Sequence, residues 1–195
     1  MTELDAVNEM LGVIGEPPVN TLEVIENVDV ANALRILHKT SRYVQSKGWA
    51  WNTWASYLFN PDVYTKKIRW SDNILFLVGT DGTKYVQRGG YVFDVDNQTD
   101  IFEQPIETTV VLYIDIENLL DPIAHYIVAK ASRKFQNETL GDDSLDNSLG
   151  EAEQEAWVAL QEYEMQIGTY NANRMTYVQQ LQGCLLYTSD AADEE

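Results

Sequence analysis

Cysteine occurs once in 195 residues, at Cys184, so the sequence offers neither an intrachain disulfide nor a multi-cysteine metal site. Histidine is nearly as scarce: His38 and His125 are the only two, and neither has a Cys or a second His at ligand spacing on its own helical face. Basic residues are few as well, with 13 Lys and Arg against 31 Asp and Glu, a formal charge of −18. Such a surface repels phosphate backbones and excludes a conventional nucleic-acid grip. No run of about 18 apolar residues is available to span a membrane, and Met1-Thr2-Glu3-Leu4-Asp5 lacks the basic start and apolar core of a signal peptide. The expectation is a protein without a membrane anchor that stays in the cytoplasm where it is made. Gly-x-Ser-x-Gly, phosphate-loop, dinucleotide and His-Glu-x-x-His motifs are all missing, so no catalytic residue, metal or cofactor is assigned.

What is present is 45% hydrophobic residues, enough for one substantial core or two modest ones. Thr2 precedes an apolar face of Leu4, Val7, Leu11 and Ile14 at helical spacing, which Gly15 and Pro17-Pro18 stop. Asp29 or Asn27 opens a second helix with Val30, Leu34, Leu37, Ser41 and Val44 on one stripe, closed by Lys47-Gly48. From Trp49 the period changes to two. Ile74–Val78, Lys84–Arg88, Tyr91–Val95 and Ile106–Ile114 are β-branched and aromatic runs. Gly79-Thr80-Asp81-Gly82, Gly89-Gly90 and Asp96-Asn97 read as the turns between them.

Helical signals return at Asp121-Pro122, read as an N-cap and first-turn proline, with Ile123, Ile127, Ala131 and Phe135 beyond. After a polar loop at 141–147, Ser148 and Glu151 read as a capping box for a last helix carrying Ala152, Ala156, Leu160, Tyr163 and Ile167. The predicted fold class is α+β. Residues 1–48 and 118–183 form an antiparallel helical bundle from both chain ends, and residues 49–117 form an inserted antiparallel β-sheet lobe. Leu34, Leu37, Ile127, Phe135, Leu160 and Tyr163 are expected in one shared core.

Two patterns invite a chemical reading. The acid pairs Asp94/Asp96 and Asp115/Glu117, with tryptophans nearby, could serve a glycosidase or a carbohydrate-binding tail protein. Turn formation and solubility explain the same residues. The run Asp142-x-Ser144-x-Asp146-Asn147-x-Leu149-x-x-x-Glu153 resembles a calcium loop, but Asn147 occupies the position that needs glycine. An ordinary helix connection that needs no calcium is expected there. Trp49, Trp51, Trp54, Trp70 and Trp157 exceed what a small sheet hides, so part of them should form apolar contact patches.

Several blocks occur in a familiar order: Leu4-Asp5-Ala6-Val7-Asn8-Glu9-Met10-Leu11-Gly12-Val13-Ile14-Gly15-Glu16-Pro17-Pro18-Val19, Ala31 to Leu37, Ser46-Lys47-Gly48-Trp49 and Asn60 to Tyr64. Arg88 to Asp94, Ile127 to Phe135 and Glu162 to Met165 follow. Together they resemble the tail tubular proteins that act as head-to-tail adaptors of short-tailed, podovirus-type bacteriophages, over roughly residues 4–181. The resemblance implies a non-enzymatic virion protein, a dodecameric ring between the portal protein and the tail nozzle (tail tubular protein B), through which DNA passes without specific binding. It also implies that the helical bundle faces the portal, with Glu155 and Glu162 as candidate contacts. The sheet lobe around Arg88 and Tyr91 would face neighbouring subunits or the nozzle. Residues 184–195, including Cys184, resemble the translation of a sequencing-library adapter, and their removal is expected to leave fold and assembly unchanged. With the four acids of that stretch set aside, 27 acids still face 13 basic residues, a charge of −14.

Overall fold

The computed structural model describes residues 1–23 and 27–171; the 184–195 segment lies outside the described residues. Among the described residues four α-helices and five strands run in the order α1 (Glu3–Val13), α2 (Val28–Gln45), β1 (Thr53–Phe59), β2 (Ile74–Gly79), β3 (Tyr85–Arg88), β4 (Tyr91–Asp94), β5 (Ile106–Leu112), α3 (Asp121–Thr139) and α4 (Asp143–Asn171). The protein is mixed α+β, as the periodicity predicts.

Side chains accept from the free N–H groups at the starts of α1, α2 and α4, whereas α3 has a proline in its first turn, which has no N–H to satisfy. Thr2 and Asp5 form a reciprocal capping box on α1, and Asn27 caps α2 by accepting from Asp29 N–H. Asp121 is not the cap of α3; that place falls to Leu120, whose side chain makes no capping bond, while Pro122 supplies a preset φ in the first turn. The Ser148/Glu151 box is also corrected. The last helix begins six residues earlier, because Asp142 Oδ1 accepts from Leu145 N–H at 2.9 Å and Asp142 O from Asp146 N–H at 2.9 Å, leaving Ser148 inside α4.

The helices from both ends share one apolar cluster: Val7, Met10 and Leu11 of α1, Val30, Ile36, Leu37 and Val44 of α2, Ile123, Ile127 and Phe135 of α3, and Leu160 of α4. Of the six expected core residues, Leu37, Ile127, Phe135 and Leu160 are buried; Leu34 and Tyr163 are half-buried against the same cluster. The buried faces are turned from the predicted stripes. Ala6 and Met10 displace Leu4 on α1, Ala33 and Ile36 displace Leu34 on α2, and Ala152 of α4 is exposed. The α1–α2 connection is fastened by Asn8, whose amide accepts from Val19 N–H at 2.8 Å and donates to Val19 O at 3.0 Å.

The middle of the chain makes two antiparallel sheets instead of the single one expected: a three-stranded sheet ordered β1-β5-β2 and the β3-β4 hairpin. They divide at the Gly79–Thr83 turn, after which Lys84 O accepts from Val95 N–H and Lys84 N–H donates to Asp96, so the backbone turns to β4 after a single Val78–Lys84 bridge to β2. Ile68, Ile74, Leu77, Val92, Phe102 and Val110 form a second apolar cluster between the sheets. Trp49–Asn52 is a turn closed by Asn52 N–H on Trp49 O, so the first strand begins at Thr53, not at Trp49.

The helical region and the sheets meet at two buried amides. Gln45 donates to Ile114 O at 2.8 Å and accepts from Ile114 N–H at 2.8 Å, which takes Ile114 out of β5. Asn52 Nδ2 donates to Gln45 O and Leu112 O, each at 2.9 Å. From α4, Glu164 accepts from Ala50 N–H at 2.7 Å.

Candidate assembly surfaces

The hairpin residues Arg88 and Tyr91 are register partners flanking Gly89-Gly90, whose φ values of 58° and 83° define a two-residue turn that side chains with a Cβ strongly resist. Both side chains are exposed. The Arg88 guanidinium lies 3.8 Å from the Phe93 ring centre, and Lys67 Nζ lies 5.3 Å from that of Tyr91 while pairing with Asp100 at 2.6 Å. The turn therefore holds a cationic and an aromatic group in fixed positions at its tip.

In the three-stranded sheet, β1 is an edge strand, paired only to β5, and five of its seven residues are exposed. A kink at Ser56, with φ 56°, shifts the register between Trp54 and Tyr57. Trp54, Tyr57 and Leu58 stand open, with Phe76 exposed on β2. The loop that follows presents Val63 and Tyr64, the latter 93% exposed. This loop is built, not slack: Asp62 Oδ1 accepts from Tyr64 N–H, Thr65 N–H and Thr65 Oγ1–H, and those bonds hold the Asp62 carboxyl below its ordinary value. Apolar groups held in water on rigid supports are the signature of contact surfaces.

Glu155 and Glu162, the other two predicted contacts, are exposed on α4, a different element from the hairpin. The structure thus brings Arg88 and Tyr91 together and leaves the glutamates on a separate surface. Residues passed over by the sequence reading are Arg35, Lys39 and Arg42, exposed along α2. Their four- and three-residue steps were the available signal. Beside them Lys39, Tyr43, Lys130, Arg133 and Lys134 line a groove of about 490 Å³ between α2 and α3.

The acids singled out for chemistry are engaged in structure. Asp94 is buried and accepts from Asp96 N–H, Asn97 N–H and Asn97 Nδ2 at 2.8–2.9 Å, forming the turn after β4, and Asp96 accepts from Lys84 N–H. Asp115 precedes the short 3-10 turn Ile116–Asn118 and Glu117 lies within it, both at the surface. In the calcium-like run, Asp146 takes two 2.8 Å bonds from Arg133, and Glu153 binds Lys130 at 2.5 Å and Arg133 at 3.2 Å. The Arg133 bonds, with one from Asn137, depress the Asp146 carboxyl to about 2. Burial disfavours the Lys130 ammonium, but its bonds to Glu153 and Tyr126 prevail and leave it raised. His38 contacts Glu3 across α1 and α2, and His125 is exposed. No cluster of three or more His, Cys, Asp or Glu disposed to hold a metal occurs among the described residues.

Residues 4–170 match the family model described as tail tubular protein. The chain belongs to the tail tubular protein family. Tail tubular protein A of Klebsiella phage KP34 is 27% identical over 164 residues, covering 84% of this chain and 87% of that protein. Family membership makes this a structural protein of the phage tail, and among the described residues no helix is long and apolar enough to cross a membrane.

Proposed function

We propose that this protein is a non-enzymatic head-to-tail adaptor, closing into a ring, twelvefold by resemblance, between the portal and the tail nozzle and forming part of the DNA ejection channel. The observation that carries the reading is the match to the tail tubular family over residues 4–170, in a chain whose candidate acids are spent on turns and ion pairs. A closed ring of identical subunits needs two different complementary faces on each copy. The helices and the strands, on separate surfaces among the described residues, support such a division of labour. Arg88 and Tyr91 with the β1 edge serve the nozzle or a neighbouring subunit; Glu155 and Glu162 serve the portal or a neighbouring subunit. The excess of acids, nine in residues 138–164 with no Lys or Arg, fits a channel that must release DNA.

Electron microscopy and sedimentation of the purified protein, alone and with the portal of the same phage, test this. A closed ring seated on the portal is expected. A folded protein that forms no ring and binds no portal overturns it.

A further inference from the structure

Within an acidic molecule, charge is segregated onto two helices. On α2 the buried positions are Val30, Ala33, Leu37, Ser41 and Val44, and at 100° per residue the opposite side carries Arg35, Lys39 and Arg42. On α4 the packed side carries Glu153, Trp157, Leu160 and Glu164, and the opposite side carries Glu151, Glu155, Val158 and Glu162. The basic stripe runs i, i+4, i+7; the outer stripe of α4 covers the same steps with Glu151, Glu155 and Val158 and adds Glu162 at i+11. Arg35 to Arg42 spans about 10 Å and Glu151 to Glu162 about 16 Å of helix axis, so either can lie along the other.

The stripes are also uncommitted in the subunit. Among the described residues Glu151, Glu155 and Glu162 have no ion-pair partner, nor does Lys39; Arg35 reaches Glu138 at the surface, and Arg42 only stands over the Tyr113 ring. The element against which α4 principally packs is α3, leaving its outer side open. Glu153, on the inner side of the same helix, shows the chemistry at work: it binds Lys130 and Arg133 of α3. The acids opposite it project away from this chain and cannot reach its own basic stripe.

We infer that the outer face of α4 docks on the outer face of α2 of a second copy of this chain, with Glu151, Glu155 and Glu162 against Arg35, Lys39 and Arg42 and Val158 as the apolar contact between them. The inference rests on the ring reading and deepens it. Charge complementarity selects the occupant, since subunits carrying −18 each repel unless opposite signs meet where they touch. The contact is heterologous, the kind that closes a ring. It assigns Glu155 and Glu162 to the neighbouring subunit instead of the portal.

The test uses the full chain in three forms: wild type, a variant with E151K, E155K and E162K, and a variant with R35E, K39E and R42E. Circular dichroism and thermal melting establish that each is folded, and ring formation is followed by sedimentation and microscopy, with and without the portal. Each variant alone should lose at least about tenfold in assembly, the sum of several exposed pairs turned repulsive. An equimolar mixture of the two should recover rings, because the reversed α4 of one now meets the reversed α2 of the other in alternation. Folded variants that assemble like wild type, or a mixture that fails to recover, overturn the docking while leaving the ring reading intact. Loss of portal binding by the α4 variant with its ring preserved gives the stripe to the portal and also overturns it. If wild type itself forms no ring with or without portal, the ring reading fails first.

Discussion

Gln45 shows how much one side chain can do at the meeting of helix and sheet. Its amide occupies both the N–H and the C=O of Ile114, as a strand partner would, and its second N–H reaches Ser41 at 3.0 Å. Gln45→Leu removes these bonds and leaves the Ile114 groups buried without partners, at about 1–3 kcal/mol for such a group. The expected outcome is a loss of about 2–3 kcal/mol by urea denaturation; a loss near zero would mean water takes over the Ile114 groups. Asp146 makes a second prediction, on pH. Its carboxyl is held at about 2 in the folded protein, below the ordinary 3.8, so it binds fewer protons folded than unfolded near pH 3. Its stabilisation is present above about pH 4 and disappears as pH falls toward about 2. The gap in urea midpoint between wild type and Asp146→Asn should therefore be constant above about pH 5 and close on acidification through that window. A gap independent of pH down to about 2 would show that Arg133 contributes no electrostatic stabilisation there.

At the scale of elements, α4 depends on few anchors. Leu160 is fully buried, Trp157 packs on Trp49 at 5.8 Å and on Tyr126 at 5.0 Å, and Glu164 holds Ala50 N–H. Leu160→Ala should cost about 2–5 kcal/mol, read by chemical denaturation. A cost below about 1 kcal/mol would mean that α4 is held by its ion pairs to Lys130 and Arg133 and hardly by packing. Elements with strong periodicity were legible: all four helices, the Gly89-Gly90 hairpin and strands β2 to β5 follow from sequence pattern. Less legible was β1, because Trp-Ala-Ser-Tyr-Leu breaks alternation at the Ser56 kink and leaves both faces partly in water. Helix starts failed where a competing side chain lay upstream, as Asp142 did before Ser148. Of the candidate contacts, Arg88, Tyr91, Glu155 and Glu162 were found as exposed residues, whereas Arg35, Lys39 and Arg42 were not. A basic stripe on a helix looks like ordinary solvation until its acidic counterpart is seen on another helix with matching steps.

For the whole molecule the governing quantity is the charge of −18. Non-specific duplex binding is largely phosphate neutralisation, with dissociation constants of about 10⁻⁴–10⁻⁶ M for proteins that supply the cations. Among the described residues six of the cations that could do so are engaged: Arg35 and Lys134 with Glu138, Lys66 with Glu103, Lys67 with Asp100, Lys130 with Glu153, and Arg133 with Asp146 and Glu153. The basic stripe on α2 spans only about 10 Å of helix, too short to track a duplex against the repulsion of the remaining surface, which acts over a screening length of about 8 Å at physiological salt. If α2 is covered by a neighbouring copy in the ring, even that stripe is withdrawn. The expected outcome is that neither the isolated protein nor its assembled form shifts a duplex of about 30 base pairs in a gel at about 150 mM salt and tens of micromolar protein. Retention of duplex at micromolar concentration, weakening steeply as salt rises, would reveal a phosphate-binding surface and remove the charge argument for a channel that lets DNA pass unheld.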